Sequence, residues 1–161
     1  MKVLKIESVF QVFKGIEELS EADAKLMQKA ILARKNAYAP YSNFMVGAAI
    51  LLDNGEVVTG NNQENASYPS GLCAERTAIY YAGANYPKAK ILKLAIVASS
   101  LSKKTFTPVP PCGACRQAIA EYEIQQESPI EIYFGAVSGE VYKSDSLANL
   151  LPLVFGKSQL A

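Results

Sequence analysis

The sequence predicts an α/β fold, a three-layer αβα sandwich in which a mixed sheet of roughly five strands carries helices on both faces. Half of the 161 residues are hydrophobic, which allows one sizeable core, and the chain is too short for two comfortable domains. Predicted helices and strands are interleaved, a pattern typical of a central sheet covered on both sides. No internal repeat, linker or low-complexity segment interrupts them. We therefore expect a single domain over residues 1–161.

The first half of this pattern is a helix followed by a hairpin. Ser20 and Asp23 resemble the two ends of a capping box, apolar residues follow at helical spacing, and Pro40 stops the run. A continuous apolar run of strand length then reaches a turn at 53–55, after which the chain returns. The predicted elements are a helix over 21–37 and strands over 46–52 and 56–59.

The second half adds two helices that begin at cysteines, further strands and a short last helix. An apolar helical run follows Cys73, and Pro111 stands in the favoured first-turn position of the next helix. A Ser-Gly turn at 138–139 joins a second strand pair, and Pro152 ends the last helix, which Ser144 or Asp145 can cap. The predicted elements are helices from 73 to about 86, from 111 or 112 to about 122, and from 144 or 145 to 151, with strands over 94–98, 130–137 and 140–142.

The main pattern occupies residues 20–156, and residues 1–19 precede it as an N-terminal extension. Two interpretations of the extension are open, an added strand or an arm that packs on the core. Its apolar residues are Val3, Ile6, Val9, Phe10 and Val12. Lys5 and Glu7 interrupt the apolar stretch and no small-residue cleavage site follows, so we do not expect a secretory signal.

The charge balance argues against a nucleic-acid partner, because sixteen Lys and Arg residues stand against fifteen Asp and Glu. The nearest approach to a basic run is a scatter of lysines that we interpret as a solvated face: Lys88, Lys90, Lys93, Lys103 and Lys104. No apolar run approaches the length needed to cross a bilayer, so no membrane partner is expected. Three cysteines cannot form a fully paired intrachain disulfide set, which favours a cytoplasmic location.

The chain contains no histidine. Within this chain, that excludes Ser-His and Cys-His nucleophilic catalysis and any metal site with imidazole ligands. Proton transfer near neutral pH must therefore fall to a carboxylate, a thiol or metal-bound water.

Three cysteines share a position at predicted helix starts. Cys112 and Cys115 form a Cys-x-x-Cys pair, and Cys73 begins another helix. First-turn N–H groups lower the pKa of a thiol, which favours thiolates that can ligate a soft cation such as zinc. Structural zinc sites normally use four protein ligands, whereas catalytic sites use three and hold a water. The count favours a catalytic zinc site over a redox pair or a small buried side chain.

Glu75 stands two residues after Cys73, in the first turn of the predicted helix. The spacing leaves open whether it is a fourth zinc ligand, a base beside the metal or a plain helix-end carboxylate. A carboxylate near zinc can take a proton from water and return it elsewhere, which hydrolytic deamination of an aminopyrimidine requires. Arg76 or Arg116 can donate hydrogen bonds to the sulfurs and offset their charge, and Arg76 is preferred.

The segments Cys-Ala-Glu-Arg at 73–76 and Pro-Cys-Gly-Ala-Cys-Arg at 111–116 resemble the small homotetrameric zinc cytidine deaminases. The similarity runs from about residue 37 to 155. It implies a cytidine-deaminase-like fold, one Zn²⁺ per subunit on Cys73, Cys112 and Cys115, and Glu75 as the proton shuttle. The implied reaction is hydrolytic deamination of cytidine and 2′-deoxycytidine to uridine and 2′-deoxyuridine plus ammonia, in pyrimidine salvage.

The resemblance also implies contacts to the substrate. Phe44 would flank the pyrimidine ring, Asn62 and Glu64 would hold the ribose 3′-hydroxyl, and the backbone N–H of Ala74 would contact the pyrimidine O2. An amide and a carboxylate can bond a hydroxyl in both directions, and Glu64 would repel a nearby phosphate, so a nucleoside is favoured over a nucleotide. Met45 departs from the family, in which many members have proline at that position.

Active sites in this family are completed across subunits. Phe155 resembles the phenylalanine by which a neighbouring subunit closes over the base, and Ala66 and Tyr68 match positions near the interfaces. The resemblance therefore implies a homotetramer with shared active sites.

Other interpretations remain open beside this one. A zinc-stabilised module whose site Glu75 closes would have no activity and would lose structure on chelation. A polynucleotide-editing deaminase would need a basic stacking groove, which the balanced charge disfavours. Within the enzyme class, blasticidin S or another aminopyrimidine nucleoside is an alternative substrate.

Overall fold

The computed structural model describes residues 1–102, 105 and 107–160. Lys103 and Lys104, which the sequence analysis assigned to a solvated face, lie outside the described residues. Its strands are β1 (Gln11–Phe13), β2 (Phe44–Leu52), β3 (Val57–Asn61), β4 (Ile91–Ser100), β5 (Glu131–Gly135) and β6 (Val141–Ser144). Its helices are α1 (Glu21–Arg34), α2 (Ala74–Asn85) and α3 (Gly113–Gln126), with short 3₁₀ turns at Ile16–Glu18, Tyr68–Ser70 and Lys157–Gln159. No helix in the described residues is sufficiently long and apolar to span a bilayer.

The strands form one sheet in the order β1-β6-β5-β4-β2-β3. The pairing of β4 with β5 is parallel and the other neighbouring pairs are antiparallel. A parallel pair needs a crossover, and α3 lies in the connection from β4 to β5. The mixed sheet that the sequence predicted is confirmed.

Helices cover both faces of this sheet, which confirms the three layers. On one face, apolar residues of α1 pack against alternate residues of the strands: Leu26, Met27 and Ala30 with Ala49, Ala95, Val97, Tyr133 and Val141. On the other face, α2 and α3 pack against the strand residues of opposite alternation: Ala74, Ala78, Ile79, Ile119 and Ala120 with Ala48, Ile50, Leu94, Ile96, Ile132 and Phe134. The two-residue period of the strands divides one apolar sequence between two cores.

The sheet has six strands because the N-terminal extension contributes one. Gln11–Phe13 pairs antiparallel with β6, and the ring of Phe10 contacts the ring of Phe134 edge-on, with 6.3 Å between centroids. The extension is thus an added strand with a packing residue before it. The expected count of roughly five strands omitted this strand because a three-residue pairing gives a weak sequence signal.

The predicted last helix through residue 151 is wrong, because residues 145–156 form turns and irregular backbone. The Leu147 carbonyl accepts from the N–H groups of both Leu150 and Leu151, and no further turn of helix follows. Pro152 disfavours helical backbone at the residue before it, so the run is too short to propagate a helix. Pro111 also lies outside its predicted place, since α3 begins at Gly113 with Cys112 as N-cap.

Gly60 in β3 lets α2 approach the sheet closely. A methyl group at this position would lie 2.6 Å from the carbonyl oxygen of Ala74 and 2.6 Å from the backbone nitrogen of Ala78. Both contacts are to backbone, which cannot rotate away. The depth at which the start of α2 sits on the sheet therefore depends on this glycine.

Gly60→Ala should displace the first turns of α2 and destabilise the protein by about 1–3 kcal/mol, the usual cost of overpacking. Urea unfolding of both proteins measures the difference. Gly113→Ala is the matched control, because a methyl group there meets nothing within 4 Å. Equal midpoints for Gly60→Ala and the unsubstituted protein would show that α2 has room to move.

Candidate active site

The starts of α2 and α3 bring the three cysteines together. Cys73 is the N-cap of α2, Cys112 is the N-cap of α3, and Cys115 lies in the first turn of α3. Their sulfur atoms all lie within 4.8 Å of one another, and all three thiols are free. Cys115 is buried, Cys73 half-buried and Cys112 exposed, so the cluster opens to solvent on one side.

The cysteine cluster is strongly polarised. The hydrogen bond with Cys115 lowers the pKa of Cys73, and the same bond, together with burial, raises the pKa of Cys115. Arg76 favours the thiolate on Cys73 by donating from Nη2 to its sulfur over 3.6 Å. Three sulfurs packed this closely repel one another as thiolates unless a cation lies between them, and thiolates are preferred zinc ligands. The donor set therefore fits a zinc ion.

Glu75 is a buried carboxyl group in the first turn of α2, only 4% exposed. Burial raises its pKa, the charge on Cys73 raises it further, and its own backbone N–H, Cys115 and Arg76 oppose the rise. A carboxylate is seldom buried without a specific role, because the charged form loses its hydration. Glu75 lines the same cavity as Cys73 and Cys112.

Arg76 and Arg116 differ in what they contact. Arg76 reaches the sulfur of Cys73, and within the described residues its buried Nε has no hydrogen-bond partner. Arg116 instead donates from Nε to the carbonyl of Pro111 and from Nη1 to the carbonyl of Leu150, both at 2.8 Å. The geometry accords with the preference for Arg76 beside the sulfurs. Arg116 holds backbone on either side of α3.

A cavity of about 540 Å³ opens beside the cysteine cluster. Predicted site residues on its wall are Phe44, Asn62, Glu64, Tyr68, Cys73, Glu75, Arg76 and Cys112. Four other predicted residues are not on its wall: Ala66, Ala74, Cys115 and Phe155. A second cavity, of about 600 Å³ between the other ends of α2 and α3, contains none of the predicted residues. The larger of these two cavities is therefore the one that lacks the predicted residues.

Asn62 is buried and already bonded to the strand that carries Phe44. Its Oδ1 accepts from the N–H of Val46 at 2.8 Å, and its Nδ2 donates to the carbonyl of Phe44 at 2.9 Å. One amide proton and one lone pair remain for another partner. Asn62 therefore fixes the start of β2 through its side chain.

Glu64 holds the loop just before Phe44. Its carboxylate accepts from the N–H groups of Tyr41, at 2.9 Å, and Ser42, at 3.2 Å, and from the hydroxyl of Ser42. The Ser42 hydroxyl lowers the pKa of Glu64, burial opposes this, and the two backbone donors lower it further. Glu64 is thus anionic near neutral pH. No local pattern indicates the bond between Glu64 and Ser42, because the two residues are 22 positions apart.

Comparisons with known proteins identify the family of this chain. The family model described as "Cytidine and deoxycytidylate deaminase zinc-binding region" matches residues 20–128. The chain belongs to this family. A cytidine deaminase of Halalkalibacterium halodurans is 42% identical over 130 residues, covering 81% of this chain and 91% of that protein. A cytidine deaminase of Sporosarcina psychrophila is 39% identical over 137 residues, covering 85% and 93%.

Solved structures of deaminases share the fold. The crystal structure of cytidine deaminase from Burkholderia pseudomallei is 39% identical, with a TM-score of 0.72, and the match covers 85% of this chain and all of that chain. The predicted fold class and the zinc cofactor are confirmed by this family membership together with the cluster of three sulfurs.

Purified protein should contain about one zinc ion per chain, and Cys112→Ser should lose most of it, because three ligands leave none to spare. Elemental analysis of dialysed samples measures the content. Cys112 is the best choice of the three because it is exposed, so its replacement leaves no core cavity. Asn54→Ala, in the turn between β2 and β3, is the control. Full zinc content in Cys112→Ser would remove Cys112 from the ligand set.

Proposed function

We propose that this deaminase hydrolyses cytidine and 2′-deoxycytidine to uridine and 2′-deoxyuridine, with release of ammonia, in pyrimidine salvage. The observation that carries the proposal is the buried carboxyl group of Glu75 on the wall that also bears the sulfurs of Cys73 and Cys112. The same cavity is also lined by an aromatic ring, an amide and a carboxylate, which suit a nucleoside with a planar base and a polar sugar.

Cys73, Cys112 and Cys115 would hold the zinc ion, which when bound lowers the pKa of water and so supplies a nucleophile at neutral pH. Addition of water at C4 and loss of ammonia require the ring N3 and the departing amino group each to gain a proton. Glu75 would take one proton from water and deliver it to N3. It would then take the second proton from the new hydroxyl at C4 and deliver it to the amino group, which leaves as ammonia while the C4 carbonyl forms. Arg76 would offset the negative charge of the sulfurs through its contact with Cys73.

The sugar side of the cavity would favour a nucleoside over a nucleotide. Asn62 keeps one donor and one acceptor after bonding β2, and Glu64 remains anionic, so together they can bond a ribose 3′-hydroxyl. The family description includes deoxycytidylate deaminases, whose substrates carry a phosphate. The charge of Glu64 disfavours a phosphate at this position, and this supports cytidine and deoxycytidine as substrates. Phe44 would flank the base, with the N–H of Ala74 at the pyrimidine O2.

We further propose a cytoplasmic homotetramer in which neighbouring subunits complete each active site, each subunit having a core over 20–156 and an extension over 1–19. The exposure of two large side chains that the resemblance assigns to subunit contacts supports this. Tyr68 is 75% exposed and Phe155 is 56% exposed, although neither is a favourable side chain to leave in water. Phe155 would close over the base of a second copy, and Ala66 and Tyr68 would lie at the contact.

The direct test is loss of cytidine and deoxycytidine absorbance on addition of the protein, with zinc measured on the same sample and deoxycytidylate as comparison. We expect both nucleosides to be consumed, and deoxycytidylate to be a poor substrate because of Glu64. Zinc-loaded protein that consumes neither nucleoside would favour the non-catalytic zinc module instead.

Glu75→Gln should lower kcat by about 10²–10⁴-fold, because it removes the group that moves protons while keeping the shape of the side chain. Zinc content should not change. Glu56→Gln, in the turn at the other end of β2, is the matched control and should retain activity. If Glu75→Gln loses zinc, then Glu75 is a ligand and the proposed shuttle is wrong.

Glu64→Ala should raise KM for cytidine on the order of ten- to a hundred-fold, as expected for a lost hydrogen bond to a charged group. Ser42→Ala separates the two tasks of Glu64, since it removes one bond that holds the loop and leaves the carboxylate. We expect a smaller effect for Ser42→Ala in steady-state assays. Equal effects would mean that Glu64 only holds the loop.

A further inference from the structure

The backbone from 145 to 156, which carries Phe155, contains no helix or strand and is held by side chains of α3. Glu123 accepts from the N–H groups of Leu147, at 2.7 Å, and Ala148, at 2.9 Å. Arg116 donates to the carbonyl of Leu150, and Gln117 donates to the carbonyl of Phe155, each at 2.8 Å. We call residues 145–156 the C-terminal segment. Its course depends on these contacts because its own backbone makes few.

The N-terminal extension holds the same segment from the other side, through Asn149. The N–H of Val9 donates to Oδ1 of Asn149 at 3.0 Å, and Nδ2 of Asn149 donates to the carbonyl of Val9 at 2.6 Å. The hydroxyl of Ser8 donates to the carbonyl of Asn149 at 2.7 Å. Asn149 therefore pairs with Val9 as a backbone partner in a sheet would. The extension and α3 therefore hold the C-terminal segment from two sides. We call the hydrogen bonds that join Ser8 and Val9 to Asn149 the clamp.

Two further contacts fix the extension itself. Strand β1 pairs with β6, and β6 leads directly into the C-terminal segment. Phe10, which lies between Val9 and β1 in the chain, packs on Phe134. The family match begins only at residue 20, so these contacts are made by a part of the chain outside the matched region. The extension is anchored at one end of the sheet and reaches the C-terminal segment from there.

We propose that residues 8–13 of the extension are a positioning element for Phe155. The proposal rests on the proposed function, in which Phe155 closes over the base in a second copy. When a side chain on an irregular segment covers a ligand, ordering that segment on binding costs free energy and weakens the binding of the ligand. The bonds to Asn149, added to those from α3, order the segment in advance. The side chain of Phe155 can then remain exposed to a second copy, while Gln117 binds its backbone carbonyl.

The test uses full-length, zinc-loaded variants that open the clamp from either side. Val9→Pro removes the N–H that reaches Asn149. Asn149→Ala removes the partner. Val3→Pro is the matched control, because Val3 lies in the same extension and is 80% exposed. We expect KM for cytidine to rise about three- to tenfold in Val9→Pro and Asn149→Ala, with kcat and zinc content unchanged, and no change in Val3→Pro.

A double-mutant cycle tests whether the change in KM caused by Asn149→Ala depends on the side chain of Phe155. In a Phe155→Ala background, Asn149→Ala should raise KM no further, because the side chain that it positions is already absent. Additive effects of the two substitutions, or an unchanged KM in both clamp variants, would overturn the proposal. An effect that instead appears in zinc content or kcat would indicate a general structural role and would overturn it as well.

Hydrogen exchange gives a readout that does not depend on turnover. Amides of peptide 145–156 should exchange faster in Val9→Pro and Asn149→Ala than in Val3→Pro, while α1 amides keep their rates. Unchanged exchange would show that the extension does not order the segment. If the unsubstituted protein consumes no cytidine, the proposed function fails and the role of Phe155 fails with it, even where exchange confirms the clamp. The two failures are therefore distinguishable.

Discussion

The convergence of two helix N-termini at one point is the constraint on which the rest of this site depends. Cys73 and Cys112 both have extended backbone as N-caps, and Cys115 follows one turn later, so three sulfurs from two helices meet. Neither helix could shift along the sheet without separating them. The packing of α2 and α3 on the strands, and the close approach that Gly60 permits, therefore determine whether a metal can bind. Zinc in turn offsets the repulsion among thiolates, which couples the metal to the position of both helices.

Around the cysteines, a few side chains hold irregular backbone in place through hydrogen bonds to residues distant in the chain. Asn62 and Glu64 fix the loop and strand that present Phe44, and α3 side chains fix the irregular segment that carries Phe155. A wall built this way keeps its shape without a ligand, which lowers the ordering cost of binding. It also means that a substitution at Asn62 or Glu64 would alter the shape of the cavity wall, apart from any contact that these side chains make with a ligand.

Much of the fold followed from residue pattern alone. The central helices and strands were predicted from apolar periodicity, and the group of three cysteines from their number and their positions at helix starts. The spacing of Glu75 from Cys73 left its role open. The strand β1 was missed because its partner β6 lies more than 100 residues away, and local pattern carries no information about such a pairing. The helix after Ser144 was wrongly predicted because Pro152 keeps the run short and side chains of α3 bind its backbone instead. Arg116 is a similar case, because its partner Leu150 lies 34 positions away.

The sequence by itself determined the chemistry of this protein. The chain has no histidine, and its three cysteines stand at helix starts, so a metal site in this chain would use thiolate ligands. The spacing also places a carboxylate, Glu75, close to one of these cysteines in the chain. Only the tertiary structure decided where those groups lie relative to the cavity, which arginine meets a sulfur, and what the extension touches. These are distances between residues far apart in the chain, and they are set by how two helical layers pack on one sheet.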